Sequence, residues 1–81
     1  MESKVALLGI IVEHPDAADS VNAVLHEFAD CIIGRMGLPY KARNINVISV
    51  VIDAPQQVIS TVAGKLGMID GISVKTVNAK V

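Results

Sequence analysis

The chain has 81 residues, of which 52% are hydrophobic and 2% are aromatic, and its formal net charge is −1. Seven lysines and arginines are balanced by eight aspartates and glutamates, which is a poor match for a surface that must neutralise several phosphates. Phe28 and Tyr40 are too few to form a platform for stacked bases, so we expect no nucleic-acid partner for the chain by itself.

The aliphatic content bears on assembly. The length fits one domain over residues 1–81, and a domain this small has a thin core for its surface. So many aliphatic residues on so short a chain predict that part of the apolar surface is buried between subunits. We therefore expect a homo-oligomer, either a dimer or a tetramer.

Cysteine usage and hydropathy indicate the compartment. The single cysteine, Cys31, excludes an intramolecular disulfide and leaves no CxxC motif for zinc or redox chemistry. The apolar run at residues 5–12 is too short to span a bilayer, and no small-residue cleavage site follows it. The expectation is a reduced, cytoplasmic protein without a membrane partner.

The first predicted element is a strand at residues 4–12, a continuous aliphatic run that is typical of a strand buried on both faces. From Asp16 the apolar residues recur every three and four positions, which predicts an amphipathic helix reaching Ile32. Pro15 and Asp16 supply its start signal, and Gly34 is expected to end it.

A second strand is predicted after Gly34, where polarity alternates again. Pro39 lies inside this strand and marks it as an edge strand, and Gly37 would permit a bulge. Replacing Gly34 or Gly37 by alanine should therefore cost stability. The alternation places Arg35 and Lys41 on one face and three largely apolar side chains on the other: Met36, Leu38 and Tyr40.

The second half of the chain repeats the alternation of strand and helix. The segment "KARN" turns the chain into residues 45–52, a third strand that is apolar on nearly both faces. The segment "DAP" opens a second amphipathic helix whose apolar stripe reaches Ile69, and Gly71 suits a left-handed position beyond its end. Residues 72–78 alternate in polarity and form a fourth strand.

The order βαββαβ predicts an α+β, ferredoxin-like sandwich, with two helices on one face of a four-stranded antiparallel sheet. In this arrangement the first and third strands are central, which agrees with their apolar character on both faces. The sheet face opposite the helices should then be covered by a second copy, or joined by one at its edge. We expect Ile48 or Val50 to point toward that face.

The segment "IIGRMG" has the Gly-x-x-Gly spacing of a KH loop, which clamps a nucleic-acid backbone. A KH loop requires a helix directly after its second glycine, whereas Pro39 and the alternating polarity favour a strand. Metal binding is not predicted, because the soft ligand candidates His14, His26 and Cys31 do not share a helix face or a motif. No catalytic triad or carboxylate pair is evident, so no catalytic residue is assigned.

The loop "EHPDAAD" is the best candidate for a ligand site, because it ends at a helix N-terminus whose free amides favour an anionic group. Glu13, His14 and Asp16 would lie at its mouth. Arg35, from the same chain or from a neighbouring subunit, would supply a positive charge. A small anionic or zwitterionic ligand fits these groups better than a metal does.

Several segments in their order along the chain resemble a family of short proteins described as putative iron-only hydrogenase system regulators. They are "VE" at the end of the first strand, "VNAVLHEFAD", "GRMGLPY" and "GKLGMIDGISVKTV". The resemblance implies an ACT-like, ferredoxin-like fold, related in shape to the C-terminal domain of the nickel-responsive regulator. It also implies homo-oligomers in anaerobes that use iron-only hydrogenase.

Two residue patterns limit what the resemblance implies. The nickel-responsive domain binds metal through histidines and a cysteine on and near its strands, and the predicted strands here contain neither. Amino-acid-binding ACT domains have a glycine after the proline of the first loop, where this chain has Asp16. The residues identify no cofactor.

Two functions are left open. The first is a non-enzymatic, oligomeric regulatory module that senses a small ligand or docks onto a protein of the hydrogenase system. The alternative is a small enzyme of the dimeric α/β-barrel kind with His14 or His26 as its base. The alternative requires a histidine inside an apolar cavity, whereas a regulator does not.

Overall fold

The computed structural model describes residues 2–79 and confirms the α+β, ferredoxin-like order βαββαβ. The strands are β1 (Lys4–Val12), β2 (Ile32–Tyr40), β3 (Ile45–Ala54) and β4 (Ile72–Asn78), and the helices are α1 (Ala18–Glu27) and α2 (Gln56–Gly67). All strand pairs are antiparallel, in the order β2-β3-β1-β4. Within residues 2–79, neither helix has the length and apolar character needed to cross a membrane.

The core lies between one face of the sheet and the two helices. The even-numbered residues from Ala6 to Val12 in β1 and from Ile48 to Ala54 in β3 are buried, because alternate side chains of a strand point to the same face. The helices contribute residues at helical spacing to the same cluster. Its large side chains, all less than 2% exposed, are Leu8, Ile10, Val12, Val21, Leu25, Val50, Ile52, Ile59, Val62 and Leu66.

The prediction that the first helix reaches Ile32 and ends at Gly34 is wrong. The helix ends at Glu27, a 3-10 turn spans Ala29–Cys31, and Ile32 already begins β2 opposite Ile52. The i, i+4 spacing from Phe28 to Ile32 fits a helix, but Ile32 also packs against the core as a strand residue. The β-branched side chains of Ile32 and Ile33 favour the strand, in which Ile32 is half-buried.

The role predicted for the glycines of β2 is also wrong. The register shift of β2 falls between Ile32 and Gly34 and not at Gly37, and the segment "GRMG" lies inside a continuous strand. A KH-type clamp is thereby excluded, since no helix follows the second glycine. Within residues 2–79, a positive φ is found only at Asn44 (54°) and Gly71 (81°), so the left-handed conformation predicted for Gly71 is present.

We now expect alanine to be tolerated at both β2 glycines. An alanine methyl at Gly34 would meet nothing within 4 Å, and one at Gly37 would lie 4.0 Å from Ile48 Cγ1. Gly34→Ala and Gly37→Ala should change the free energy of unfolding by less than about 1 kcal/mol, with stabilisation favoured because alanine restricts the unfolded chain. Urea unfolding measures this free energy. A loss of more than about 1 kcal/mol would indicate that these positions require glycine, as a bulge would.

The face of the sheet opposite the helices carries no element of residues 2–79. Ile48 and Val50 do not lie there, contrary to expectation, because both are buried under the helices. We call the uncovered side the open face. Its three central rows across β2, β3, β1 and β4 are Gly34, Val51, Leu7 and Val77; then Met36, Ser49, Gly9 and Lys75; then Leu38, Val47, Ile11 and Ser73.

The open face is largely apolar. Leu7 is 42% exposed, Met36 58% and Val77 63%. Val47 and Val51 in the central strand β3 are only half-buried. A four-stranded sheet with this much accessible aliphatic surface on one side explains the high hydrophobic content of so short a chain.

Candidate functional site

The loop after β1 is tied to the turn before β4. The Glu13 N–H donates to the Gly71 carbonyl oxygen at 2.8 Å, and the Ser73 hydroxyl donates to Glu13 Oε2 at 3.1 Å. The His14 ring packs directly over Gly71, since a methyl group at that glycine would lie 2.6 Å from His14 Nδ1. Glu13 and His14 are therefore held against the turn that leads into β4, at the end of the sheet where β1 ends.

Beside this contact lies a wide, shallow depression of about 550 Å³, which we call the loop depression. It is lined by His14, Pro15, Asp16, Ala17, Ser20, Ile69 and Asp70. His14 and Asp16 both line it, with neither side chain buried, whereas Glu13 is not among its lining residues. The sequence did not indicate Asp70, a second carboxylate, and only its place beside the left-handed Gly71 could have suggested that it faces this loop.

Arg35 does not line the loop depression of its own chain. It lies on the helix side of β2, paired with Val50, and its Nη2 donates to Asn22 Oδ1 of α1 at 2.7 Å. Within residues 2–79, the guanidinium makes no ion pair with a carboxylate. Asn22 was missed by sequence analysis, although it is a polar residue on the helix that precedes β2.

The Asn22–Arg35 bridge crosses a groove between α1 and β2, which we call the edge groove. On one side of the bridge the groove is lined by Leu25, His26, Ala29 and Ile32, and its volume there is about 370 Å³. On the other side it is lined by Ala18, Gly37, Leu38, Pro39, Asn46 and Ile48, with a volume of about 240 Å³. None of these lining residues is a carboxylate.

The remaining chemistry-bearing side chains stand apart. His14 and His26 are both exposed, and Cys31 is a half-buried free thiol. Among residues 2–79, no three histidine, cysteine, aspartate or glutamate side chains are grouped so that they could hold a metal ion. The ligand-binding roles of Glu13, His14, Asp16 and Arg35 stay predictions.

The sequence of residues 4–76 matches the family model "TM1266-like: Iron-only hydrogenase system regulator, putative". The structure is similar to that of the uncharacterised protein TM1266 from Thermotoga maritima, with a TM-score of 0.93 and 36% sequence identity. That similarity covers 98% of this chain and 100% of the Thermotoga protein. None of the curated proteins matches the chain significantly in sequence.

More distant structures share the fold alone. The C-terminal domain of the MgtC protein from Mycobacterium tuberculosis has a TM-score of 0.71 at 14% identity, over 95% of this chain and 88% of that domain. A formyltetrahydrofolate deformylase from Pseudomonas putida KT2440 has a TM-score of 0.64 at 12% identity, over 90% of this chain and 28% of the enzyme. The ferredoxin-like, ACT-like fold is thus shared with proteins whose sequences have little identity with this chain.

Proposed function

The chain belongs to the TM1266-like family, and from this membership we propose that it is a non-enzymatic, homo-oligomeric regulatory module of an iron-only hydrogenase system. The single observation that carries the proposal is the open face. In a sheet with one solvated face, the side chains on that face are normally polar, whereas the open face presents aliphatic side chains from all four strands. A surface of this kind supports association with a protein.

We propose that a second copy of the chain packs against the open face. Four strands spaced ~4.8 Å apart give a width of roughly 19 Å, and about seven paired residues give a length near 23 Å. Interdigitating side chains raise the accessible area above this projection, toward the ~800 Å² that each partner buries in a stable dimer. Gly9 and Ser49 leave a notch beside the protruding Met36, so two such faces can interdigitate.

Light scattering tests the assembly. We expect a dimer or a tetramer at micromolar concentration, with a mass that does not fall as sodium chloride is raised, because apolar burial, worth about 25 cal/mol per Å², does not depend on charge pairs that salt screens. A stable monomer under these conditions would remove the basis of the proposal.

The regulatory role is tested in an anaerobic host that uses iron-only hydrogenase. Deletion of the gene should change hydrogenase activity or hydrogenase transcript level, and the wild-type gene should restore it. Complementation with a variant that cannot associate through the open face should fail to restore it. Unchanged hydrogenase levels after deletion would contradict the role while leaving the assembly result intact.

The ligand-sensing part of the proposal concerns the loop depression. Asp16 and Asp70 put two carboxylates at its edge, and Arg35 of the same chain lies elsewhere. Of the two ligand classes expected from the sequence, a zwitterion is the better match, because its ammonium group can face the carboxylates. The N–H groups of Ala17 and Ala18 already donate to the carbonyl oxygens of His14 and Pro15, so the carboxylate of the zwitterion would be favoured by the positive end of the α1 dipole.

A screen of amino acids, used as zwitterionic probes, by chemical-shift perturbation tests whether the loop depression binds such a ligand. We expect a hit to move the amides of His14, Asp16 and Asp70, and Asp70→Asn to weaken its binding by about tenfold, the effect of losing a charge-assisted hydrogen bond. Ser60→Ala, on an exposed part of α2, is the matched control and should leave binding unchanged. A hit that moves only residues of α2 would contradict this site.

A further inference from the structure

The edge strand β2 is exposed to an unusual degree. Eight of its nine residues are exposed and only Ile32 is half-buried, whereas β4, the other edge strand, has alternating half-buried residues. β2 is the last strand of the sheet, so one row of its backbone N–H and C=O groups has no strand partner among residues 2–79. The strand is thus open on both faces and along its edge.

The position of Pro39 indicates which backbone N–H and C=O groups of β2 point away from β3. Proline has no N–H, so in a paired strand it occupies a position whose amide would face away from the neighbouring strand. In an antiparallel ladder such positions alternate, which puts Arg35 and Gly37 on the outward-facing set with Pro39. Their N–H and C=O groups point in the plane of the sheet, away from β3, and are available to another strand lying alongside β2.

The edge groove has the dimensions of an extended peptide. It runs along β2 from Ile32 to Pro39, a distance of about 23 Å at ~3.3 Å per residue, which accommodates roughly seven extended residues. Ala18, Ala29 and Gly37 leave room along it, and the two depressions flanking Arg35 include apolar side chains. A strand added alongside β2 would pair with its outer edge, and the side chains on the helix side of that strand would face the edge groove and α1.

Charge defines what the groove accepts. Arg35 is the only formally charged residue among its lining residues, and it is positioned by Asn22 at 2.7 Å. A guanidinium carries five N–H donors, so most of them are free for a ligand after the bond to Asn22. The favoured partner group is a carboxylate, because an arginine binds it through paired, charge-assisted hydrogen bonds.

We propose that the edge groove binds an extended segment of a partner protein, which adds a strand to β2 and places an internal aspartate or glutamate on Arg35. An internal residue is favoured over a terminal carboxylate because Arg35 lies between the two depressions, and a chain that ended there would leave one empty. Side chains two residues apart share a face, so the segment has apolar residues two positions before and after the acidic one.

A second copy's β2 is a poorer occupant. β2 contains no aspartate or glutamate to meet Arg35, and pairing of two β2 strands about a two-fold axis near Arg35 would bring like charges together, which is destabilising. The edge groove also lies on the helix side of β2, so a copy seated on the open face leaves it accessible. The proposal therefore does not depend on the assembly proposed above.

The test uses a matched pair of acetylated, amidated peptides, Thr-Val-Thr-Glu-Thr-Val-Thr and its glutamine counterpart, titrated into the full chain and followed by NMR. We expect the glutamate peptide to move the backbone amides of Arg35 and Gly37 and the side-chain amide of Asn22. The glutamine peptide should bind about tenfold more weakly, the loss expected for a charge-assisted hydrogen bond. N-methylation of the peptide amides that face β2 should abolish binding, whereas methylation of the alternate amides should not.

Protein variants separate the groove from general charge effects. Arg35→Gln should bind both peptides equally and keep the wild-type unfolding free energy, because the side chain is exposed. Lys75→Gln, which removes a cation on the open face, should retain the glutamate preference. The proposal is overturned if the glutamate peptide does not bind at millimolar concentration, if it shifts only the open face, or if Arg35→Gln keeps the preference.

Discussion

Val51→Asp is expected to convert the protein to a folded monomer, whereas Val50→Asp, one residue earlier, is expected to unfold it. Val51 lies on the open face in the central strand β3, half-buried without a partner, while Val50 is 0% exposed beneath the helices. In an assembled interface, an aspartate at position 51 would be a buried, unpaired charge, which costs about 3–5 kcal/mol per subunit. In the monomer the same carboxylate is solvated.

Light scattering and circular dichroism together separate these outcomes. Ala23→Asp, on the exposed side of α1, introduces the same charge away from the open face and should leave both the mass and the spectrum unchanged. If Val51→Asp keeps the wild-type mass, the open face is not the subunit interface. If Val51→Asp is unfolded, Val77→Asp tests the same interface. Val77 lies on the open face in the edge strand β4 and is 63% exposed, so an aspartate there is compatible with a folded monomer.

The strand arrangement followed from the sequence because each strand carries the hydrophobic pattern of its position. β1 and β3 are aliphatic at consecutive positions, and they are the central strands. β2 and β4 contain Pro39 and Lys75, residues that protect exposed edges, and they are the outer strands. The hydrophobic pattern of a strand depends on whether it has a paired strand on one edge or on both edges, and strand order determines this.

The end of α1 was not predictable from periodicity. Phe28 and Ile32 continue the helical spacing, and both pack against the core although the helix has ended. A side chain four residues further on can be buried either by one more helical turn or by a tight turn into a strand. Only the pairing of Ile32 with Ile52 distinguishes them, and this pairing is a long-range contact.

The candidate site shows the same division between local and long-range information. His14 and Asp16 lie two residues apart in the sequence, and both line the loop depression. Alternation correctly separated Arg35 from Met36, but it did not indicate which of them faces the helices. That choice put Arg35 beside Asn22 and away from the loop. Asp70 came to the loop only through the turn that Gly71 makes.

Gly71→Ala is expected to destabilise the fold by about 2–3 kcal/mol. Its φ of 81° lies in the left-handed region, where a side chain costs roughly 1–2 kcal/mol. The added methyl would also lie 2.6 Å from His14 Nδ1 and 2.7 Å from His14 Cγ, so the imidazole ring would have to move. The Glu13–Gly71 backbone hydrogen bond ties the two segments together and limits how far the loop can yield.

A double-mutant cycle with His14→Ala separates the two causes, measured as free energies of urea unfolding. Without the imidazole, Gly71→Ala should cost only the left-handed strain, so the coupling between the two sites should be on the order of 1 kcal/mol. Gly64→Ala is the control, because this glycine lies within α2, has nothing within 4 Å of an added methyl, and should gain about 0.5–1 kcal/mol. A Gly71→Ala variant as stable as wild type would contradict the left-handed turn and the packing of His14 over it. An unchanged cost in the His14→Ala background would assign the whole effect to the backbone.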